Sequence, residues 1–154
     1  MGHWLMKSEP DVFGIDDLAA LAGRTEPWDG IRNYQARNMI RDQMRPGDQA
    51  FFYHSNCREP GIVGLMEVAG APRPDPTALD PEGAYYDPKS RPEAPRWFLV
   101  DVRYVRHLDR KITLAELKAY GDGPLADLAL LRRGNRLSVM PVTPAQWEFI
   151  LSLV

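Results

Sequence analysis

From Trp97 onward the chain alternates: Trp97, Leu99, Asp101 and Arg103 against Phe98, Val100, Val102 and Tyr104, and the second set is almost wholly apolar. A period of two with one apolar face is what a half-buried strand requires, because successive side chains point to opposite sides of a sheet. The strand predicted over 96–106 therefore demands a sheet with a core against one face. Shorter strands are predicted over 3–8, where Glu9-Pro10 stops the run, and over 49–53, 61–69 and 136–140. The 61–69 segment is apolar on both faces and is predicted to be well buried. Between the strands the pattern turns helical. Helices are predicted over 15–22, ending at Gly23, over 33–45 between an Asn33 cap and Pro46-Gly47, and over 124–131. Two more are predicted over 113–120, with Thr113 and Glu116 in capping-box positions, and over 143–153. The last has Pro144 in its first turn and Trp147, Ile150 and Leu151 on one face. Residues 24–31, which include Trp28, read as a loop. Strands and short helices interleave without a regular βαβ beat. That predicts an α+β fold, a small β-barrel flanked by short helices, over a doubly wound sheet.

At 154 residues the chain is predicted to be one domain, 1–154, large enough to stand on a single core. Hydrophobic residues at 44% and charged residues at 26% exclude global disorder. The single cysteine, Cys57, excludes an intramolecular disulfide and any multi-cysteine zinc site. There is no apolar run near the roughly 20 residues that span a bilayer, no signal-peptide pattern and no internal repeat. The expectation is a cytoplasmic protein with no membrane partner, nuclear if eukaryotic.

The net charge of −2 argues against a protein held on nucleic acid by bulk charge alone. The distribution is uneven. Residues 1–29 carry two basic and six acidic groups, whereas 30–45 carry Arg32, Arg37, Arg41 and Arg45 against Asp42. Residues 103–111 are again basic, and Arg132, Arg133 and Arg136 form a third cluster. The 72–95 stretch holds seven prolines and three Asp-Pro steps, and reads as a stiff surface connector or a functional loop.

On the 33–45 helix, at about 100° per residue, Tyr34, Arg37, Asn38, Arg41 and Arg45 share one face. Ala36, Met39 and Ile40 lie opposite, with Met44 at the border. The polar face is either an ordinary solvated one or a phosphate-gripping element, since arginine forks fit phosphate oxygens. Trp4, Trp28 and Tyr53 stand near Ser8, Asn33, His54, Ser55 and Asn56, the residue types a base pocket needs, although strand aromatics are equally core residues. His54-x-x-Cys57 supplies two metal ligands where zinc takes four, so no metal is expected. Lys7 and Glu9 are candidates for acid–base work, and strand alternation would point both away from Ser8. No phosphate-binding glycine loop or nucleophile elbow occurs.

Four blocks taken together resemble the EVE domain: Trp4-Leu5-Met6-Lys7-Ser8-Glu9-Pro10, Trp28 through Asn38 (WDGIRNYQARN), Phe52-Tyr53-His54-Ser55-Asn56, and Arg133 through Val139 (RGNRLSV). The resemblance implies a PUA-like barrel, related to the YTH, ASCH and SRA domains, with a pocket that accepts a nucleobase, often a modified one. It implies that Lys7, Ser8, Trp28, Asn33, Tyr34, His54, Ser55 and Ser138 line or support that pocket. It further implies that Arg32, Arg37, Arg133 and Arg136 meet phosphates. The expected partner is nucleic acid with a modified base, DNA or RNA, with no cofactor and no catalytic residue; an effector protein is a possible second partner. The alternative is a small ASCH-like hydrolase acting on modified nucleosides. The base-binding reading requires Trp28 and His54 to face a common hollow, and expects Trp28→Ala to abolish binding without unfolding the chain.

Overall fold

A computed structural model describes residues 2–154. In chain order the elements are β1 (His3–Ser8), α1 (Pro10–Phe13), α2 (Ile15–Ala20), β2 (Thr25–Pro27), α3 (Tyr34–Asp42), β3 (Gln49–His54) and β4 (Gly61–Val68). Then follow β5 (Arg73–Pro74), β6 (Phe98–Leu99), β7 (Asp101–Thr113), α4 (Leu114–Lys118), β8 (Val139–Pro141) and α5 (Pro144–Leu151). Six strands form one sheet in the order β2-β7-β4-β3-β1-β8, and β5 pairs with β6 in a separate ribbon. β1 runs parallel to β3, and the other neighbours in the sheet are antiparallel. Register shifts in β3/β4 and at two places in β4/β7 bend the strands, since an extra residue on one strand kinks it and increases its twist. The result is the expected α+β, PUA-like architecture, a curled half-barrel with short helices.

Alternation divides two cores between the faces of the sheet. Trp4, Met6, Ala50, Phe52, Met66 and Val68 face one cluster, with Ala36, Ile40 and Met44 of the α3 region. Leu5, Phe51, Tyr53 and Leu65 face the other, closed by Leu117 of α4 and by Trp147 and Ile150 of α5. Trp147 stacks on Phe51 with ring centroids 3.9 Å apart. The expected inner face of α3 is buried, and Asn33 caps it by accepting from the Ala36 N–H at 3.0 Å. Trp4 and Tyr53 are core residues, and burial pushes the Tyr53 phenol up to about 12.

Several boundaries differ from expectation. The 96–106 strand breaks at Val100, whose carbonyl accepts from the Trp28 N–H, and then runs on to Thr113. Residues 25–27 are an edge strand of the sheet. Residues 124–131 form successive single turns ending in a 3-10 turn at Ala129–Leu131, because Leu125, Leu128 and Ala129 must all reach the second core from a segment that follows Gly123-Pro124. The α4 capping box is half formed: Thr113 accepts from the Glu116 N–H, but the Glu116 carboxylate pairs with Arg110. The complete box is at α5, between Thr143 and Gln146.

Candidate functional site

The parallel strands β1 and β3 end side by side, with the Ser55 N–H donating to the Ser8 carbonyl at 3.0 Å. On the other side of β1, the Lys7 N–H donates to the Ser138 carbonyl at 2.8 Å, just ahead of β8. A cavity of about 670 Å³ opens at these strand ends. Lys7, Ser8, Glu9, Ser55, Leu137 and Ser138 line it from the strand ends, α1 contributes Val12 and Phe13, and the 26–31 segment forms a wall that carries Glu26, Trp28, Asp29 and Ile31. Tyr85 from the proline-rich stretch and Arg136 complete the lining.

That wall is braced by one buried carboxylate. Asp75 accepts from the Gly30 N–H at 2.9 Å, from Arg32 Nη1 at 3.0 Å, and from the Thr77 N–H and hydroxyl at 2.9 and 2.6 Å. Burial alone would raise its pKa, but these donors outweigh it and hold the carboxyl below its usual range. The proline-rich stretch is therefore fastened to the wall, and it delivers Tyr85 to the cavity.

The lining holds polar groups that the protein leaves unanswered. Among the described residues the Lys7 ammonium has no acceptor, and burial lowers its pKa. Among the described residues no side chain donates to the carboxyls of Glu26 or Asp29, and the pKa of each is raised. Burial is the main cause for each; Asp29 adds to it for Glu26, and Asp75 adds to it for Asp29. The backbone N–H of Asp29 and the nearby Arg32 only partly offset this for Asp29. The Ser8 hydroxyl donates to the Phe13 carbonyl at 2.7 Å. Glu9 is engaged by the Asn56 side chain. Lys7, Ser8 and Glu9 all reach the cavity, contrary to the alternation argument, because β1 ends at Ser8 and the chain turns there into α1.

Of the expected pocket residues, Lys7, Ser8, Trp28, Ser55 and Ser138 line the cavity, and Asn33, Tyr34 and His54 do not. Trp28 is only 7% exposed and packs edge-on against Phe13 and Phe52, at 6.5 and 5.4 Å between ring centroids. His54 Nε2 accepts from the Ile15 N–H at 3.1 Å, so its ring serves the start of α2 and does not line the cavity that Trp28 lines. Tyr34 stacks on Trp97 at 4.7 Å and is half exposed.

The four expected phosphate contacts divide in two. Arg32 donates to Asp75, Thr77 and the carbonyls of Ile31 and Tyr85. Arg37 donates to the Arg96 carbonyl and to Asn38, and lies 4.8 Å over the Tyr34 ring. Arg133 and Arg136 make no hydrogen bond or ion pair among the described residues and line a second cavity of about 350 Å³. Cys57 Sγ lies 3.9 Å from the His54 carbonyl, and no cluster able to hold a metal exists among the described residues. Glu26, Asp29 and Tyr85 were not expected in the site. Asp29 adjoins Trp28 in one of the blocks quoted above, which was its signal; nothing local marks Tyr85.

The chain matches the model of the EVE domain over residues 2–153. It is 50% identical to thymocyte nuclear protein 1 of Danio rerio, over 98% of this chain and 71% of that protein, and 47% identical to the Homo sapiens protein of the same name, over 98% and 73%. Its fold superposes on the crystal structure of human THYN1 protein in complex with 5-methylcytosine-containing DNA, with a TM-score of 0.95 and 47% identity over 99% of this chain and 97% of that one. A Pseudomonas putida protein of known structure is 50% identical, with a TM-score of 0.92 over 98% of each chain. No helix among the described residues is long and apolar enough to cross a membrane. By sequence and by fold alike, the chain belongs to the EVE domain family.

Proposed function

We propose that this chain is a nucleic-acid-binding domain that takes one base, a methylated cytosine, out of its strand and into the cavity beside Trp28. The observation that carries the reading is the chemistry of that lining, on a chain so similar to a protein solved with 5-methylcytosine-containing DNA. The Watson–Crick edge of cytosine offers an amino donor beside two acceptors. Glu26 and Asp29 supply acceptors that no other side chain engages among the described residues, and Lys7 supplies a donor without an internal acceptor. Carboxylates are natural partners of the cytosine amino group. Two unpaired carboxyls in a site for a polyanion are otherwise unfavourable, which is why a role in reading the base edge accounts for them. Phe13, Trp28, Ile31 and Leu137 provide apolar surface for the ring and its methyl. A buried methyl contributes only about 0.8 kcal/mol, so the polar edge must carry most of the discrimination between bases.

In this reading Ser8, Ser55 and Ser138 complete the rim, while Asn33, Tyr34 and His54 support it from outside by ordering α3, Trp97 and α2. Arg133 and Arg136 meet phosphate; Arg32 braces the wall, and Arg37 ties α3 to the Arg96 carbonyl. The test is a titration of DNA 12-mers carrying one central 5-methylcytosine, cytosine or thymine. Thymine keeps the methyl but replaces the amino group with a carbonyl, so the wild type is expected to bind methylcytosine about tenfold tighter or more, from one good edge contact. Asp29→Ala should shrink that preference. Equal binding of methylcytosine and thymine by the wild type overturns the reading.

The hydrolase alternative draws on Lys7, whose pKa burial lowers, in the same cavity as Glu9. Release of free acid from acylated nucleosides, lost in Lys7→Met, would favour it.

A further inference from the structure

Exposed apolar side chains stand around the mouth of the first cavity. Val12 lines the cavity yet is 69% exposed, more than any other large apolar residue among those described, so it stands at the rim. Tyr85 lines the same cavity from the proline-rich stretch and is 41% exposed, and its neighbour Tyr86 is exposed to a similar degree. A lone valine on a protein surface needs no explanation. Exposed apolar groups that two separate segments bring to the mouth of one cavity do.

Val12 is held firmly in that position. The N–H groups of Val12 and Phe13 both donate to the Glu9 carbonyl, at 3.0 and 2.9 Å, and the Ser8 hydroxyl fastens the end of the turn through the Phe13 carbonyl. Pro10 in the first turn fixes the backbone further. Phe13 points inward, with its ring 6.4 Å from that of Phe52 and 6.5 Å from that of Trp28, and this leaves its neighbour Val12 on the outer side of α1. The helix reads Pro-Asp-Val-Phe and carries no cation, so it is not built to grip phosphate. What it offers a ligand is an apolar tip. A β-branched side chain is stiff about its one rotatable bond, so it loses little freedom when it enters a narrow space.

Drawing a base out of a duplex leaves a gap in the stack and uncovers the faces of the two flanking pairs. Proteins that open base steps fill such gaps with apolar wedges, which repay part of the unstacking cost. A single strand has no paired stack to breach, so a wedge gains little there.

We propose that Val12 enters the place a base vacates when the protein draws that base out of a duplex, so that the ligand of this cavity is double-stranded DNA. The proposal rests on the base-binding reading above. It assigns Val12 to the duplex left behind and not to the extruded base.

The probes are the DNA 12-mer with one central 5-methylcytosine as a single strand and the same 12-mer annealed to its complement, titrated at one salt concentration. The wild type is expected to bind the duplex at least as tightly as the single strand, although the broken pair counts against the duplex. Val12→Ser should lower the ratio of duplex to single-strand affinity about tenfold, the factor that two buried methyl groups contribute. Val12→Leu keeps an apolar tip and should hold the ratio near that of the wild type. The free Val12→Ser protein should melt with the wild type, because an exposed side chain contributes little to the fold, and this separates a lost wedge from a damaged one. The proposal fails if the wild type binds the single strand more tightly. It fails too if Val12→Ser leaves the ratio unchanged, whether both forms weaken together or neither does, or if Val12→Leu loses as much as Val12→Ser. Single strands alone test the base reading, by methylcytosine against thymine. If the wild type binds those two alike while Val12→Ser still lowers the duplex ratio, the base reading has failed and the wedge stands. If methylcytosine is preferred but the ratio does not respond to Val12→Ser, only the present proposal has failed.

Discussion

The ring of Tyr85 lies on the backbone of Gly30, so close that a Cβ at Gly30 would stand 2.7 Å from Tyr85 Cζ. Gly30 also has a φ of +79°, in the left-handed region that side chains resist. Two segments more than fifty residues apart in sequence thus meet at the cavity mouth through the absence of one methyl group.

Gly30→Ala should therefore lower stability by about 1–2 kcal/mol from the backbone alone, and further by displacing the ring. Thermal denaturation reads the sum. Adding Tyr85→Ala should return only the part due to the ring. Full recovery in the double variant would show that the left-handed conformation costs nothing.

Trp28 is both a wall of the cavity and a member of the first core cluster. Trp28→Ala is consequently expected to cost about 3–5 kcal/mol of stability, so its loss of binding would say little about stacking. This departs from the expectation of an intact fold. Trp28→Phe keeps much of the apolar contact and should retain a cooperative unfolding transition while weakening methylcytosine binding. Chemical denaturation followed by circular dichroism checks the first part, and oligonucleotide titration the second.

Asp75 accepts four hydrogen bonds, two of them from Gly30 and Arg32 on the wall side, and its side chain is fully buried. Asp75→Ala leaves the Gly30 N–H and the Arg32 guanidinium without that partner, at a cost of about 3 kcal/mol. Because its folded-state pKa lies below the ordinary 3.8, its contribution is complete above that value and is lost as pH falls through the lower, folded one. Melting temperature followed below pH 4 should fall more steeply in the wild type than in Asp75→Ala. Parallel curves would show that other carboxylates govern the acid limb.

His54 accepts from the Ile15 N–H and must be neutral to do so. Burial, and then the charge of Lys111, lowers its pKa from the ordinary 6.5. The unfolded chain therefore takes up the proton first, and stability present above 6.5 declines as pH falls from there toward the folded value. His54→Gln, which keeps a side-chain acceptor without titrating, should flatten the melting temperature as pH falls below 6.5. If the wild type is equally flat over that window, His54 does not titrate on unfolding.

The elements that depend on short-range order were readable from the chain. The inner face of α3 and its Asn33 cap follow from spacing alone, because a side chain's direction repeats with the local backbone period, and the strands at 3–8 and 49–53 were legible from their short apolar runs. The blocks around Ser8, Trp28, Ser55 and Ser138 were each visible, and the fold brings them to one cavity. The direction and duties of individual polar groups were not readable. His54 and Ser55 are neighbours in sequence, yet one supports α2 and the other rims the cavity.

The arginines make the same point about charge. Arg32 and Arg133 are alike in sequence, each in a basic, polar stretch. Arg32 is neutralised by Asp75, forty-three residues away, whereas no carboxylate comes to Arg133. A residue's chemical type is local information, but whether its charge is free depends on which distant segment folds against it. Periodicity carries no record of such long-range partners, so the candidate site took its final form only when the proline-rich stretch packed onto the 26–31 wall.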